Sequence, residues 1–237
     1  DWRSDVCSSD LTYEVDLPLS KKSVKYRPYL VKEEKLLMMA MESQDQKMIM
    51  KTVQDIIAAC TFGEVDVKQL PTAELELLFL KLRTKSVGET TNIGYECKQC
   101  GTKNEITINL EQVGLTEDQK IDTKIMLTDK VGVIMKFPTS DDISKVLNSK
   151  DGEVKNTFAI INSCIDAIFD ENNVYEAANL EKKDVESFVE SLNSQQFKKI
   201  QEFFEGMPKL SHDASFDCEK CGAHNDLVIQ GLQAFFV

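Results

Sequence analysis

Two short stretches, far apart in the chain, carry the residue types best suited to chemistry. The first is Tyr95-Glu96-Cys97-Lys98-Gln99-Cys100-Gly101, followed by Asn104-Glu105-Ile106. The second is Phe216-Asp217-Cys218-Glu219-Lys220-Cys221-Gly222, followed by Asn225-Asp226-Leu227. Each reads aromatic, acid, Cys-x-x-Cys, Gly, two residues, Asn, acid, aliphatic. Two residues between the cysteines let both thiolates of a tight turn face one centre. Glycine after the second Cys relieves the backbone where the turn needs a positive φ. Two such turns supply the four thiolates of a tetrahedral zinc ion. The spacing therefore nominates Cys97, Cys100, Cys218 and Cys221 as the ligands of one structural Zn2+ per chain. Two redox dithiol pairs, or packed structural cysteines, are the competing readings.

Little else in the sequence suggests catalysis. Four thiolates fill a zinc ion's coordination sphere, whereas a catalytic zinc keeps a place for water. The two histidines, His212 and His224, lie beside the second knuckle. His224 is a weak candidate ligand, because Lys103 holds the equivalent place in the first knuckle. No glycine-rich phosphate loop and no Gly-x-Ser-x-Gly elbow is present. The acidic clusters Asp141-Asp142 and Asp170-Glu171 read as a helix cap and a solvated turn. The chain is thus expected not to be an enzyme. Cys60 and Cys164 stand alone in apolar patterns and read as small core residues.

Composition narrows the classes further. The chain has 237 residues, a formal net charge of −12 and 42% hydrophobic residues, enough for one large or two modest cores. An acidic balance suits a phosphate backbone poorly. The knuckle lysines Lys98, Lys103 and Lys220 are also offset by Glu96, Glu105, Asp217 and Glu219. Nucleic-acid binding is therefore disfavoured, although a zinc-ribbon nucleic-acid-binding or regulatory protein remains the alternative. No apolar run approaches a membrane span. Unpaired cysteines with metal-type spacing fit a reducing cytoplasm. Residues 1–11 read as a translated sequencing adapter, leaving the true start open.

The remaining elements must position the knuckles. Alternation at Tyr13, Val15 and Leu17, then Val24 and Tyr26, predicts a β-hairpin. Leu36, Leu37, Met38, Ala40 and Met41 form an apolar helix that reads as core, with a Met-rich partner groove as the alternative. Helices follow from Gln46 to Cys60 and from Ala73 to about Lys85. Alternating Ile106, Ile108 and Leu110 predict a strand after the first knuckle. Extended structure is expected around 131–137 and a capped helix at 139–147. Thr157 to Phe169 reads as one apolar helix, and further helices are expected at 183–192 and 194–205. The expected fold is α+β but mostly helical. It comprises an N-terminal hairpin and helical region at 12–92, a zinc-ribbon-like module from 93–113 and 214–237, and an inserted, mainly helical region at 114–213.

Several stretches, in order, resemble one family. They are Tyr26-Arg27-Pro28-Tyr29-Leu30-Val31-Lys32-Glu33-Glu34-Lys35-Leu36-Leu37, then Leu80-Lys81-Leu82-Arg83-Thr84-Lys85-Ser86-Val87-Gly88-Glu89, then Phe137-Pro138-Thr139. Gln196-Phe197-Lys198-Lys199-Ile200-Gln201-Glu202-Phe203-Phe204, Met207-Pro208-Lys209-Leu210-Ser211-His212 and Gly231-Leu232-Gln233-Ala234-Phe235-Phe236 complete the set. Together with the paired knuckles they resemble the baseplate hub assembly proteins of T-even-like contractile-tailed bacteriophages, over about residues 12–237. The resemblance implies a phage protein that assists assembly of the baseplate central hub, as a chaperone, an assembly catalyst or a hub subunit. It implies phage hub proteins as partners. It also implies a location in the host cell cytoplasm during assembly, or in the virion baseplate.

Overall fold

The alternation near the N-terminus folds into an antiparallel hairpin, β1 (Tyr13–Leu17) and β2 (Lys22–Tyr26), in a computed structural model that describes residues 11–116 and 122–235. Residues 1–10 of the stretch read as adapter-derived lie outside the described residues. Three helices follow: α1 (Val31–Glu42), α2 (Gln46–Cys60) and α3 (Thr72–Ser86). The chain then forms a second hairpin, β3 (Thr90–Glu96) and β4 (Lys103–Asn109), and a short strand, β5 (Gly114–Leu115). After β6 (Lys124–Met126) and β7 (Gly132–Met135) come helices α4 (Ser140–Asn148) and α5 (Glu153–Ser163). Strands β8 (Ile165–Phe169) and β9 (Val174–Glu176) precede α6 (Lys182–Glu190) and α7 (Ser194–Gly206). A third long hairpin, β10 (Leu210–Asp217) and β11 (His224–Gln230), closes the described chain with a 3-10 turn at Leu232–Phe235.

The described residues divide into two compact units, one running up to Thr116 and resuming at Lys209, the other lying between them in sequence. In the first unit, α3 is apolar on more than one side. Leu75, Leu78, Phe79 and Leu82 join a core with Leu17, Tyr26, Val53, Ile56 and Ile57. Leu77 and Leu80 enter a second core with Ile93, Ile106, Ile108, Leu110, Leu210, Leu227, Ile229 and Phe235. A helix with water on one face needs one apolar stripe, and one packed between two layers needs two. Thus α3 carries the β1–β2 hairpin and helix pair on one side, and the hairpins that bear the cysteines on the other.

The second unit corrects the expected fold. The chain is not mostly helical: 44% of the described residues are helical and 26% are in strands, arranged as four antiparallel sheets. The largest sheet, in the order β6-β7-β8-β9, lies inside the region expected to be mainly helical. The apolar run from Thr157 accounts for the error. It is helical to Ser163, turns at Cys164 and continues as β8, whose residues alternate between buried Ile165, Ala167 and Phe169 and less buried neighbours. A short apolar run satisfies both periodicities, so only pairing with β7 and β9 decides its state. Capping was more legible. Thr139 and Asp142 bond reciprocally at the start of α4, and Asn193 and Gln196 do so at α7. Asp184 falls in the first turn of α6, whose N-cap position is Glu181.

The stretch from Arg27 to Glu33 has a local structural job. Pro28 keeps the chain extended before α1. Arg27 Nη2 donates to Glu33 Oε1 at 3.0 Å, and the Leu30 N–H donates to Glu33 Oε2 at 2.8 Å. Burial pushes the Glu33 carboxyl up, but the guanidinium and the backbone donor outweigh it and hold the carboxyl below its ordinary range. A depressed carboxyl stabilises the fold above its unfolded pKa and loses that contribution as the pH falls through the folded one. Wild type is therefore expected to lose stability on acidification below about pH 4.5, the ordinary value from which this carboxyl is lowered. In Glu33→Gln this part of the loss is expected to be absent, along with roughly 1–2 kcal/mol of stability at neutral pH. Urea melts between pH 3 and 7 provide the measurement, and parallel pH profiles for the two proteins contradict the expectation.

Candidate metal centre

Each knuckle is the turn of a β-hairpin. Antiparallel pairing runs from Thr90↔Asn109 to Glu96↔Lys103 in one hairpin and from Ser211↔Gln230 to Asp217↔His224 in the other. The six residues after Glu96 and after Asp217 make the same turn in each. The Cys97 N–H bonds the Thr102 carbonyl and the Gly101 N–H bonds the Cys97 carbonyl, both at 2.9 Å. Correspondingly, the Cys218 N–H bonds Ala223 O at 2.9 Å and the Gly222 N–H bonds Cys218 O at 2.8 Å. Gly101 and Gly222 have φ of 68° and 70°, the left-handed conformation expected after the second Cys. The two seven-pair hairpins are thus near copies, built from the matching residues that flank the cysteines.

The turns face each other. Cys97 Sγ lies 3.7 Å from Cys221 Sγ, and Cys100 Sγ lies 3.6 Å from Cys218 Sγ. All four Sγ atoms lie within 4.8 Å of one another. These separations exceed a disulfide's roughly 2.05 Å. They match the edge of about 3.8 Å that a tetrahedron with metal–sulfur bonds of about 2.3 Å requires. Cys97 and Cys218 are buried, whereas Cys100 and Cys221 reach the surface. The four nominated cysteines therefore come together. Among the described residues they are the group of Cys, His, Asp and Glu side chains close enough to hold an ion. His224 is not part of that group: its Nδ1 lies 2.8 Å from Asp217 and its Nε2 lies 3.3 Å from Asp226.

The local field explains why a cation suits this place. Backbone N–H groups of Cys100 and Gln99, with the Asn225 amide, pull the Cys97 thiol down to about 6. The Thr102 hydroxyl and backbone hold Cys100 below its ordinary value. At Cys221 the Ala223 N–H acts in the same direction, but contacts with the Cys100, Cys218 and Cys97 sulfurs push the thiol up to about 12. Four sulfurs at this spacing cannot all be anions without a positive charge among them. A divalent ion supplies that charge, so the donor set fits zinc.

Two further residues belong to the site. Asn104 and Asn225 are both buried. Asn225 Oδ1 accepts from the Lys98 N–H, and Asn104 Oδ1 accepts from the Glu219 N–H, each at 3.0 Å. Each asparagine therefore bonds the opposite knuckle. The sequence carried the signal, since both asparagines stand three residues after the turn glycine, but spacing could not say which backbone group they would meet. Tyr95 and Phe216, the repeated aromatics, meet edge to face at 6.1 Å.

Comparison with known proteins decides the family. The family described as "T4 bacteriophage base plate protein" matches residues 10–237. This chain belongs to that family. It is 25% identical over 226 residues to "Baseplate hub assembly protein gp26" of Enterobacteria phage T4, covering 94% of this chain and 97% of that protein. No solved structure gives a significant match. The family places the chain among baseplate proteins of tailed phages, and no helix among the described residues is long and apolar enough to cross a membrane.

Among the described residues, the two remaining cysteines are buried and the acidic clusters singled out in the sequence lie at a helix cap and a turn. Cys60 and Cys164 are fully buried, and burial pushes their thiols up to about 11 and about 12. Such thiols are poor nucleophiles. Asp142 closes the α4 cap and Asp141 pairs with Lys145 at 2.6 Å. Asp170 accepts from the Asn172 and Asn173 N–H groups of its turn. The methionines differ from the expected core packing. Within α1 only Glu33, Leu37 and Ala40 are buried. Leu36, Met38, Met39 and Met41 are exposed, as is Met48 on α2. Beside them lies a cavity of about 430 Å³, lined by apolar Leu37, Met41, Ile49, Val53, Phe79 and Leu232 with Gln44 and Gln46.

Proposed function

We propose that this protein assists assembly of the phage baseplate central hub without catalysing a covalent reaction. In this reading it binds hub proteins in the host cell cytoplasm, as an assembly chaperone or as a subunit that stays in the hub. The observation that carries it is the family match over residues 10–237, joined by likeness to a hub assembly protein over nearly its whole length. The surface offered to hub proteins is the exposed methionine face of α1 and α2. Methionine is unbranched and polarizable, so a Met-rich face adapts to apolar partners. Covering such a face until the correct partner arrives suppresses wrong association. Phe235, in the apolar C-terminal stretch, is fully buried and so is not offered to a partner.

The metal in this reading is one Zn2+ per chain, held by Cys97, Cys100, Cys218 and Cys221. It is structural: it fastens the β3–β4 hairpin to the β10–β11 hairpin, and all four of its tetrahedral positions go to sulfur.

Co-expression with each hub protein of the same phage, followed by size exclusion, tests the role. Wild type is expected to co-elute with at least one hub protein. The double variant Met38→Glu, Met39→Glu is expected to reduce that co-elution at least tenfold while changing stability by only about 0.5 kcal/mol, since both side chains are exposed. Absence of any co-eluting hub protein counts against the assembly role. Undiminished binding by the variant counts against this surface.

A further inference from the structure

The reciprocal asparagines make the metal centre more than four ligands. Each knuckle gives one backbone N–H to the asparagine of the other. In the first, the Lys98 N–H donates to Asn225 Oδ1 on the other hairpin. In the second, the equivalent Glu219 N–H points to Asn104 Oδ1. The amide nitrogens are also used. Asn104 Nδ2 donates to Thr102 O and Asn225 Nδ2 to Ala223 O, both at 2.8 Å, which fixes each side chain on its own turn. Asn225 Nδ2 also lies 3.6 Å from Cys97 Sγ. Both asparagines are at least nine-tenths buried, at 5% and 3% exposure, so these bonds are shielded from water.

We propose that Asn104 and Asn225 are positioning residues forming a crossed latch, which docks the two knuckles before metal arrives and sets the separation of the four sulfurs. The inference rests on the zinc reading for its effect on affinity, but the latch itself consists of protein atoms. A metal arriving at two free hairpins would have to order both. With the latch closed it meets thiols already at 3.6–3.7 Å across the pairs. Outer groups that orient ligands commonly change metal affinity by about 10–100-fold when removed. Asn225 has the larger share, because it also donates toward the Cys97 sulfur.

The test uses the full chain, with and without chelator, and two readouts. The first is amide hydrogen exchange resolved at Lys98 and Glu219. Both amides are expected to be protected in metal-free wild type. Asn225→Ala is expected to release Lys98, and Asn104→Ala to release Glu219, each variant acting on the hairpin it does not belong to. Asn225→Asp keeps an Oδ1 acceptor but loses the Nδ2 donor to Ala223 O and the Cys97 sulfur, so it is expected to leave Lys98 better protected than Asn225→Ala but less than wild type, and it serves if the alanine variant unfolds. The second readout is Zn2+ affinity by chelator competition, expected to fall about 10–100-fold in each alanine variant with the four-thiolate signature of a bound Co2+ probe unchanged. Fast exchange at Lys98 and Glu219 in metal-free wild type overturns the latch, as does wild-type metal affinity in both variants. A wild type that binds no metal but shows the crossed pattern overturns the zinc reading and leaves the latch standing.

Discussion

Replacing Cys97 or Cys218 with serine is expected to release the metal and unfold the hairpin pair at a far lower temperature. Metal analysis of purified wild type is expected to give about one zinc per chain. Each variant is expected to retain little. These two sulfurs are the buried ones, 2% exposed, so the substitution leaves a hydroxyl in an enclosed place beside three thiols. Structural zinc contributes on the order of 10 kcal/mol to small peptides that are unfolded without it. Here part of the burden is carried elsewhere. Ile93, Ile106, Leu227 and Ile229 pack into the core shared with α3, and Leu210 pairs with Leu115 through the β10–β5 ladder. The loss is therefore expected to be smaller, about 3–5 kcal/mol, the upper range for a single substitution. At roughly 2–4 °C per kcal/mol for a protein of this size, the first unit would melt on the order of 10 °C lower. Chelation of wild type is expected to give the same shift. Full zinc content in both variants would end the ligand assignment.

Leu80→Ala is the second large effect. Leu80 is fully buried and sits with Leu110, Leu210 and Phe235, also fully buried, in the core beneath the cysteine-bearing hairpins. Truncation removes three carbons and leaves a cavity that α3 cannot close, because its Leu78, Phe79 and Leu82 are engaged in the other core. Leu-to-Ala changes in such places cost about 2–5 kcal/mol. The hairpins need this layer to hold their turns against each other, so Leu80→Ala is also expected to bind zinc more weakly although it touches no ligand. Leu36→Ala on the exposed face of α1 is the control, expected to alter stability by no more than about 0.5 kcal/mol. Equal denaturation midpoints for the two variants would contradict this account of the core.

The ends of the inserted unit illustrate a division of labour the knuckles alone could not reveal. Thr116 N donates to Lys209 O at 2.8 Å and Lys209 N donates to the Thr116 hydroxyl at 3.1 Å. Backbone pairing therefore closes residues 117–208 into a loop at its own neck, and the hairpins that carry the cysteines lie on either side of it in sequence. The closure cost of so long a loop grows only slowly with its length, and a short ladder with a packed core offsets it.

The parts whose signals are local can be read from the amino-acid chain alone. The Cys-x-x-Cys-Gly turns, the capping residues Thr139 and Asp142, the alternation of Tyr13, Val15 and Leu17, and the helical spacing of Ile49, Val53, Ile56 and Ile57 each follow from contacts within a few residues. Repetition of one pattern at two places was enough to nominate four metal ligands. Tertiary structure alone decided three matters. The run after Thr157 became helix and then strand, because β7 and β9 offer backbone partners to Ile165–Phe169. The methionines of α1 lie outside, because Leu37 and Ala40 already fill its contact with the core. Asn104 and Asn225 acquired a role only when two hairpins, 121 residues out of step, brought each side chain to the other's backbone. Local chemistry is written in neighbouring residues, whereas strand pairing, exposure and crossed bonds depend on which distant segment arrives.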